Sequence, residues 1–245
     1  MSDFFLKLIH AGRAVWFGAA LCLLLAAAAL PFDHAVSAWV RNANGGHVNE
    51  AVRFVGGLGH GLTLSVAFVV LLVLYGEVRV GVGGLTGIFW AGMAADLLRL
   101  VTDRRRPDGD AHSFPSAHTA CAFAAAVVLS RRWPRLRPAF YLGAAGVGAA
   151  RVLWLRHFPS DVLAGAAVGM VIGLAAAVLA EGWRLLDSPR AVRTLKIVLS
   201  VLAVASLVLI RNKPEPIATL ALPALLLLVV HRASVLMEPR LSHDG

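Results

Sequence analysis

Three short segments of this chain carry side chains whose types and spacing allow acid–base, nucleophilic and anion-binding chemistry. The first runs from Arg99 to Pro107 and holds Arg99, Arg104, Arg105 and Arg106. Arginines this close repel one another and need open water or an anionic partner. The planar guanidinium fork suits phosphate oxygens, because it donates paired hydrogen bonds and keeps its charge at any working pH. Alone, the segment reads equally well as a solvated basic loop against lipid headgroups. The second segment, Phe114-Pro115-Ser116-Ala117-His118-Thr119, is a loop entering a helix. Pro115 cannot lie inside that helix and Ser116 is a natural N-cap, so outward N–H groups and the positive end of the helix dipole meet there. His118 falls in the first turn as a proton donor or a structural histidine. The third segment runs from Arg151 through His157 to Asp161. Asp161 and Ser160 are placed to cap a helix. Asp161 also follows His157 by four residues, close enough to fix one ring nitrogen and leave the other free to attack.

The elements that must position these segments are membrane helices. The 245 residues are 58% hydrophobic and only 15% charged, against ~45–50% and ~25% for soluble domains. That composition excludes a water-soluble globule, a coiled coil, a disordered chain and a disulfide-stapled scaffold. Cys22 and Cys121 lie inside apolar runs and read as packing residues. Stretches nearly free of charge predict spans at 14–32, 54–76, 80–98, 111–130, 138–155 and 162–180, with shorter runs at 197–210 and 216–231. The expected fold is all-α: a polytopic helix bundle with a six-helix core over about 14–180 and an appended pair over about 190–232. It forms one domain across 1–245. Residues 33–53 are expected to form a long connection with a turn at Asn42–Gly46, Trp39 and Val40 resting on the membrane surface. Phe4, Phe5, Leu8 and Ile9 suit a short interfacial helix, and the first span reads as retained rather than cleaved.

A cytoplasmic N-terminus puts most of the 23 Lys and Arg on the inner side, as the positive-inside rule requires. The exceptions crowd into two outer loops and include Arg99, Arg104, Arg105, Arg106, Arg151 and Arg156. The net charge of +9 is therefore explained by membrane anchoring and an anion site, with no nucleic acid implied. All three segments fall at span ends on the same outer side.

This constellation resembles the type 2 phosphatidic acid phosphatase superfamily, which includes lipid phosphate phosphatases and is related to vanadium haloperoxidases and glucose-6-phosphatase. That family's first motif, Lys, six residues, Arg-Pro, corresponds to Arg99 through Arg106-Pro107. Its second, Pro-Ser-Gly-His, corresponds to Pro115-Ser116-Ala117-His118. Its third corresponds to Arg151, His157 and Asp161 at unbroken spacing. The chain departs at Arg99 for lysine, Ala117 for glycine and Ala150 for the serine before the arginine. The resemblance implies a six-helix core in which His157 is the nucleophile that forms a phosphohistidine. It also implies that Asp161 orients His157, His118 protonates the leaving oxygen, and Arg99, Arg106, Arg151 and Ser116 bind the phosphate.

No carboxylate cluster accompanies the histidines, so no metal or cofactor is expected. Asp103, Asp108 and Asp110 read as ion-pair partners of the arginines, and Arg104, Arg105 and Arg156 as contacts to the lipid surface. The expected activity is hydrolysis of a lipid's terminal phosphate or diphosphate at the outer (periplasmic) face of a bacterial-type inner membrane. Undecaprenyl diphosphate leads on family analogy, beside phosphatidylglycerol phosphate, phosphatidate and lipid A phosphate. Phosphotransfer to a lipid acceptor uses the same residues. A transporter or a non-catalytic lipid-binding protein fits less well, because the polar residues gather at one face rather than mid-span. The oligomeric state is not legible.

Overall fold

A computed structural model describes residues 8–9, 12–45 and 47–210. Within these residues the regular structure is entirely helical, as the composition predicts. In chain order the helices are α1 (Arg13–Ala29), α2 (Asp33–Ala43), α3 (Glu50–Gly57), α4 (Gly61–Leu74), α5 (Val78–Thr102), α6 (Ala117–Arg132), α7 (Arg137–Leu153), α8 (Pro159–Gly182) and α9 (Pro189–Ile210). Among the described residues α1–α2, α5 and α8 are long and apolar enough to cross a membrane, and α3 with α4 forms a fourth such unit if its bend is counted as one span. Large apolar side chains such as Phe17, Leu24, Leu100, Val101 and Leu142 stand exposed on the outside of the bundle. In a bilayer that exterior needs no other cover.

α6 is the central helix. Every residue from Thr119 to Ser130 is buried, so no face of it remains for solvent or lipid. Its small side chains permit this, and α8 meets it backbone to backbone. A Cβ on Gly165 would stand 2.5 Å from Ser116 O, one on Gly169 2.2 Å from Ala120 O, and one on Gly173 2.7 Å from Ala124 Cα. These glycines recur every fourth residue, as do the backbone sites they touch. Apolar burial drives helices together little in lipid, so such small-residue contacts are a main means of close packing. The contact at Gly165 sets the N-terminus of α6 directly over that of α8.

The polar residues sort to the two ends of the bundle. At one end Arg79 pairs with Asp187 (2.7 Å), Arg131 with Glu181 (2.8 Å) and Arg132 with Glu77 (2.8 Å). At the other end lie the three segments singled out above.

Several boundaries differ from expectation. The predicted span 54–76 is broken: α3 and α4 meet at a 57° bend. Gly59 sits in that break, where a Cβ would come within 2.8 Å of His118 O and 2.5 Å of Val147 Cγ1. The chain there passes too close to α6 and α7 for a continuous helix with side chains. The fourth span starts at Ala117 rather than 111, because Ser116 caps α6. Residues 33–43, expected as an irregular connection, form α2, with Val40 buried and Trp39 exposed as an amphipathic helix requires. The turn that follows is present, with Gly45 at φ +56°. The run at 216–231 and most of the expected N-terminal interfacial helix lie outside the described residues.

Replacing Gly169 with valine forces α6 and α8 apart at Ala120. Overpacking of this kind costs about 1–3 kcal/mol. The thermal midpoint of the detergent-solubilised protein is expected to fall, whereas Gly143→Val, at a position with no atom within 4 Å of the added Cβ, leaves it nearly unchanged.

Candidate active site

Main-chain bonds stitch the three segments together before any side chain is considered. The Ser116 N–H donates to Asp161 O (3.0 Å) and the Ser113 N–H to Arg104 O (2.7 Å). Arg99 Nε donates to Pro115 O (3.0 Å). Loop 103–116 is thereby pinned to the start of α6 and the start of α8.

On this frame the predicted residues gather. His157 lies fully buried in the turn before α8, its Nδ1 3.7 Å from Asp161 Oδ2. That separation is longer than the hydrogen bond the four-residue spacing suggested. The carboxylate is engaged elsewhere: Oδ2 accepts from Ser113 Oγ in a very short bond and from the Phe158 N–H (2.7 Å), and Oδ1 accepts from Arg104 Nη1 (2.9 Å). Asp161 thus caps α8 while Oδ2 stands 3.7 Å from His157 Nδ1; the capping bond is formed and the bond to the ring nitrogen is not.

His118, in the first turn of α6, lies near Arg151, His157 and Arg99. On its other side His60 packs edge to face, with ring centroids 5.5 Å apart. Arg151 is held over the Trp154 ring at 4.8 Å, and Arg106 stands near both Arg99 and Arg156. Ser116 is fully buried and accepts from Thr119 Oγ1 (3.0 Å), so its hydroxyl closes the helix end. The amides of the first turn behind it have no partner within the helix. A cavity of about 460 Å³ opens beside the site, with His118, Arg99, Asp96 and His60 at its polar part and Leu62, Ile88, Phe89 and Met93 along its apolar part. That pairing of surfaces suits a charged head on an apolar tail. His157 is not among the lining residues.

Burial holds the His157 imidazole well below its ordinary value, at about 4; Arg151 and Arg99 push the same way and Asp161 opposes them. The ring is neutral at pH 7, the form with a lone pair available for attack. Burial likewise lowers Arg106, with Arg156 and Arg99 adding to it and Asp108 and Asp110 opposing. Six buried side-chain polar atoms among the described residues have no hydrogen-bond partner: Ser37 Oγ, Ser130 Oγ, Arg106 Nε, Arg151 Nε and both ring nitrogens of His157. Buried polar groups are normally paired. Four of these six belong to three residues of one site.

Three residues escaped the sequence reading. Arg104, expected at the lipid surface, instead turns inward and bridges Asp33 (Nη2 to Oδ2, 2.6 Å), Ser160 and Asp161. Asp33, fully buried, and Ser113 complete that cluster. That Arg104 turns inward while Arg105 beside it stays exposed has no signal in composition or spacing. Asp33 offered a faint one, as a carboxylate at the end of an apolar span. Arg156 is likewise paired, to Asp108 (2.8 Å) and Asp110 (3.1 Å), rather than turned to lipid. Asp108 and Asp110 behave as the arginine partners they were expected to be, whereas Asp103 stands near His112 instead.

Residues 93–184, which include every residue of the expected site, match the model of the PAP2 superfamily. The resemblance read from the three motifs therefore holds over this part of the chain. A lipid A 1-phosphatase of Porphyromonas gingivalis is 47% identical over 75 residues, 29% of this chain and 17% of that protein. A lipid A 1-phosphatase of Rhizobium etli is 34% identical over 110 residues, 38% of this chain and 47% of that protein. The matched stretches thus span less than half the length of these relatives. The crystal structure of a transmembrane PAP2-type phosphatidylglycerolphosphate phosphatase from Bacillus subtilis superposes with a TM-score of 0.52 at 24% identity, covering 66% of this chain and 93% of that one. The likeness establishes a shared fold.

The depressed value of His157 has a measurable consequence. Between pH 6.5 and about 4 the unfolded chain takes up a proton at His157 that the folded chain refuses. Folding stability therefore falls as pH drops through that window. The His157 ring resonance, assigned by its loss in His157→Gln, is expected to stay that of a neutral imidazole down to about pH 5, where an ordinary histidine is charged.

Proposed function

We propose that this chain is an integral membrane phosphatase of the PAP2 superfamily that removes a terminal phosphate or diphosphate from a lipid through a phosphohistidine on His157. The observation that carries this reading is the set of buried, unpaired nitrogens on His157, Arg151 and Arg106, in a site whose His118 and Arg99 line a cavity with a polar end and an apolar side. An anion with several acceptor oxygens satisfies such a set, and a tailed one fits such a cavity.

His157 attacks phosphorus through Nε2, in line with the leaving oxygen. The N–P bond forms as the P–O bond to the lipid breaks, and His118 donates a proton to the departing oxygen. Water then attacks the phosphohistidine, giving its proton to His118, and the N–P bond breaks to release inorganic phosphate. Asp161 stabilises the imidazolium that develops during the first step. Arg99, Arg106 and Arg151, with the amides of the helix end closed by Ser116, hold the equatorial oxygens and the charge that builds on them. His157 is covered, so the side chains around it must part before phosphate reaches Nε2. Among the described residues no three His, Cys, Asp or Glu side chains group as metal ligands. The reaction proposed here uses none.

Lipid A phosphate takes first place among the substrates, because both named relatives, similar to this chain over part of their length, are lipid A 1-phosphatases. Undecaprenyl diphosphate follows. The site belongs on the outer face of a bacterial inner membrane, with the N-terminus in the cytoplasm; the chain is one domain with its core over 14–180.

The test is phosphate release by the purified protein in detergent, with chelator present, from lipid A, undecaprenyl diphosphate, phosphatidylglycerol phosphate and phosphatidate. Release from at least one lipid is expected, abolished in His157→Gln. In His118→Gln it should be reduced by about 10²–10⁴-fold. Equal silence of the unaltered chain and His157→Gln on all four lipids contradicts hydrolysis. Transfer of labelled phosphate to an added lipid alcohol, without free phosphate, favours phosphotransfer instead.

A further inference from the structure

We propose that Arg104 and Asp33 are positioning residues for phosphoryl transfer: held between two buried carboxylates, Arg104 fixes Asp161 at the place from which it orients His157. The inference rests on the reading of His157 as nucleophile. Neither residue belongs to the three motifs' matched positions, and neither faces His157 directly.

The geometry is specific. Asp33 Oδ2 accepts from Arg104 Nη2 (2.6 Å) and, in a very short bond, from Ser160 Oγ; its Oδ1 accepts from the Ser160 N–H (3.1 Å). Arg104 Nη1 donates to Ser160 Oγ (2.8 Å) and Asp161 Oδ1 (2.9 Å). The guanidinium lies 4.2 Å over the Phe158 ring, which fixes its plane. Both carboxylates are fully buried, and Arg104 is only 23% exposed. A guanidinium facing one carboxylate settles on it in a two-pronged grip. One shared between two carboxylates gives each a single nitrogen. Asp161 therefore keeps Oδ2 turned toward His157, 3.7 Å away, while Oδ1 is tied back.

Charge makes the same point. Asp33, Arg104 and Asp161 together carry one net negative charge, which meets the positive charge that grows on His157 as the N–P bond forms. Without Asp33, Arg104 neutralises Asp161 alone and closes on it, and the opposing charge is lost. Without Arg104, Asp33 and Asp161 both lose their shared cation, and Oδ1 of Asp161 is no longer tied back. Either change strikes the chemical step rather than phosphate binding. Asp33 opens α2 at the end of α1. The first span is thereby joined to the nucleophile 124 residues later in the chain (157 − 33).

The experiment compares the unaltered chain, Asp33→Asn, Arg104→Gln and the double variant in detergent. The probe is whichever of the four lipids the unaltered chain hydrolyses fastest, and the thermal midpoint is read from tryptophan fluorescence in the same samples. Each single variant is expected to lose kcat by about 10- to 100-fold, the scale of a misplaced catalytic group, with KM little changed. The double variant should fall no further than the worse single one. Methylguanidine added to Arg104→Ala should restore part of the lost kcat without moving the midpoint. If Asp33→Asn fails to fold, Asp33→Glu, which keeps the charge, reads the same kcat-against-KM split. Folded variants with unaltered kcat overturn the inference while the chain remains a phosphatase. So does a loss that appears in KM and midpoint together without response to methylguanidine, which marks plain structural support. An unaltered chain silent on all four lipids defeats the phosphatase reading, and this inference with it.

Discussion

A carboxylate buried at the end of a membrane bundle must be satisfied entirely by the chain itself, and the placement of Asp161 follows from that constraint. Removing one partner of a buried charge pair costs roughly 3–5 kcal/mol, far more than such a pair contributes over an apolar substitute. Asp161 draws its donors from two sides: Arg104 and Ser113 from the loop after α5, and the Phe158 N–H from its own helix start, while Asp33 accepts from the same Arg104. Its main-chain oxygen holds Ser116 and with it the start of α6. A single residue thus fixes the two helix ends and the loop between which the histidines stand.

That arrangement depends on the approach of α6 and α8. Gly165 lets Ser116 O reach the α8 backbone, and Gly169 and Gly173 carry the same closeness along the helices. A bundle without strong apolar attraction between its helices holds an active site this tight through small residues and the polar ties at its ends. The opposite end shows the same economy, with arginine–carboxylate pairs joining α5, α6 and α8 and the turn after α8. The site is built from helix ends and the loops between them, and the long apolar helices serve to hold those ends in register.

Much of this was legible from residue types alone. Charge-free runs located α1, α5 and α8 to within a few residues, since a membrane helix is specified by what it lacks. The gathering of Arg99, His118, Arg151, His157 and Asp161 followed from finding their segments at span ends on one side. Departures from expectation share one cause: they were decided by contacts between distant segments. The break between α3 and α4 depends on how closely Gly59 passes His118. α2 reads as a connection until Asp33 and Val40 are seen to be buried. Arg104 is indistinguishable in sequence from Arg105 beside it, yet one ties two carboxylates and the other is exposed. Periodicity and spacing carry no record of such pairings.

The central claim is that His157 carries the phosphoryl group. Rapid acid-free quenching of the purified protein with a lipid labelled on its terminal phosphate tests it most directly. The account predicts a protein-bound label that is stable to base, labile to acid, mapped to His157 and missing in His157→Gln, with His118→Gln slowing its release. A label that never forms while free phosphate accumulates at the unaltered rate, or one mapped to another residue, contradicts it.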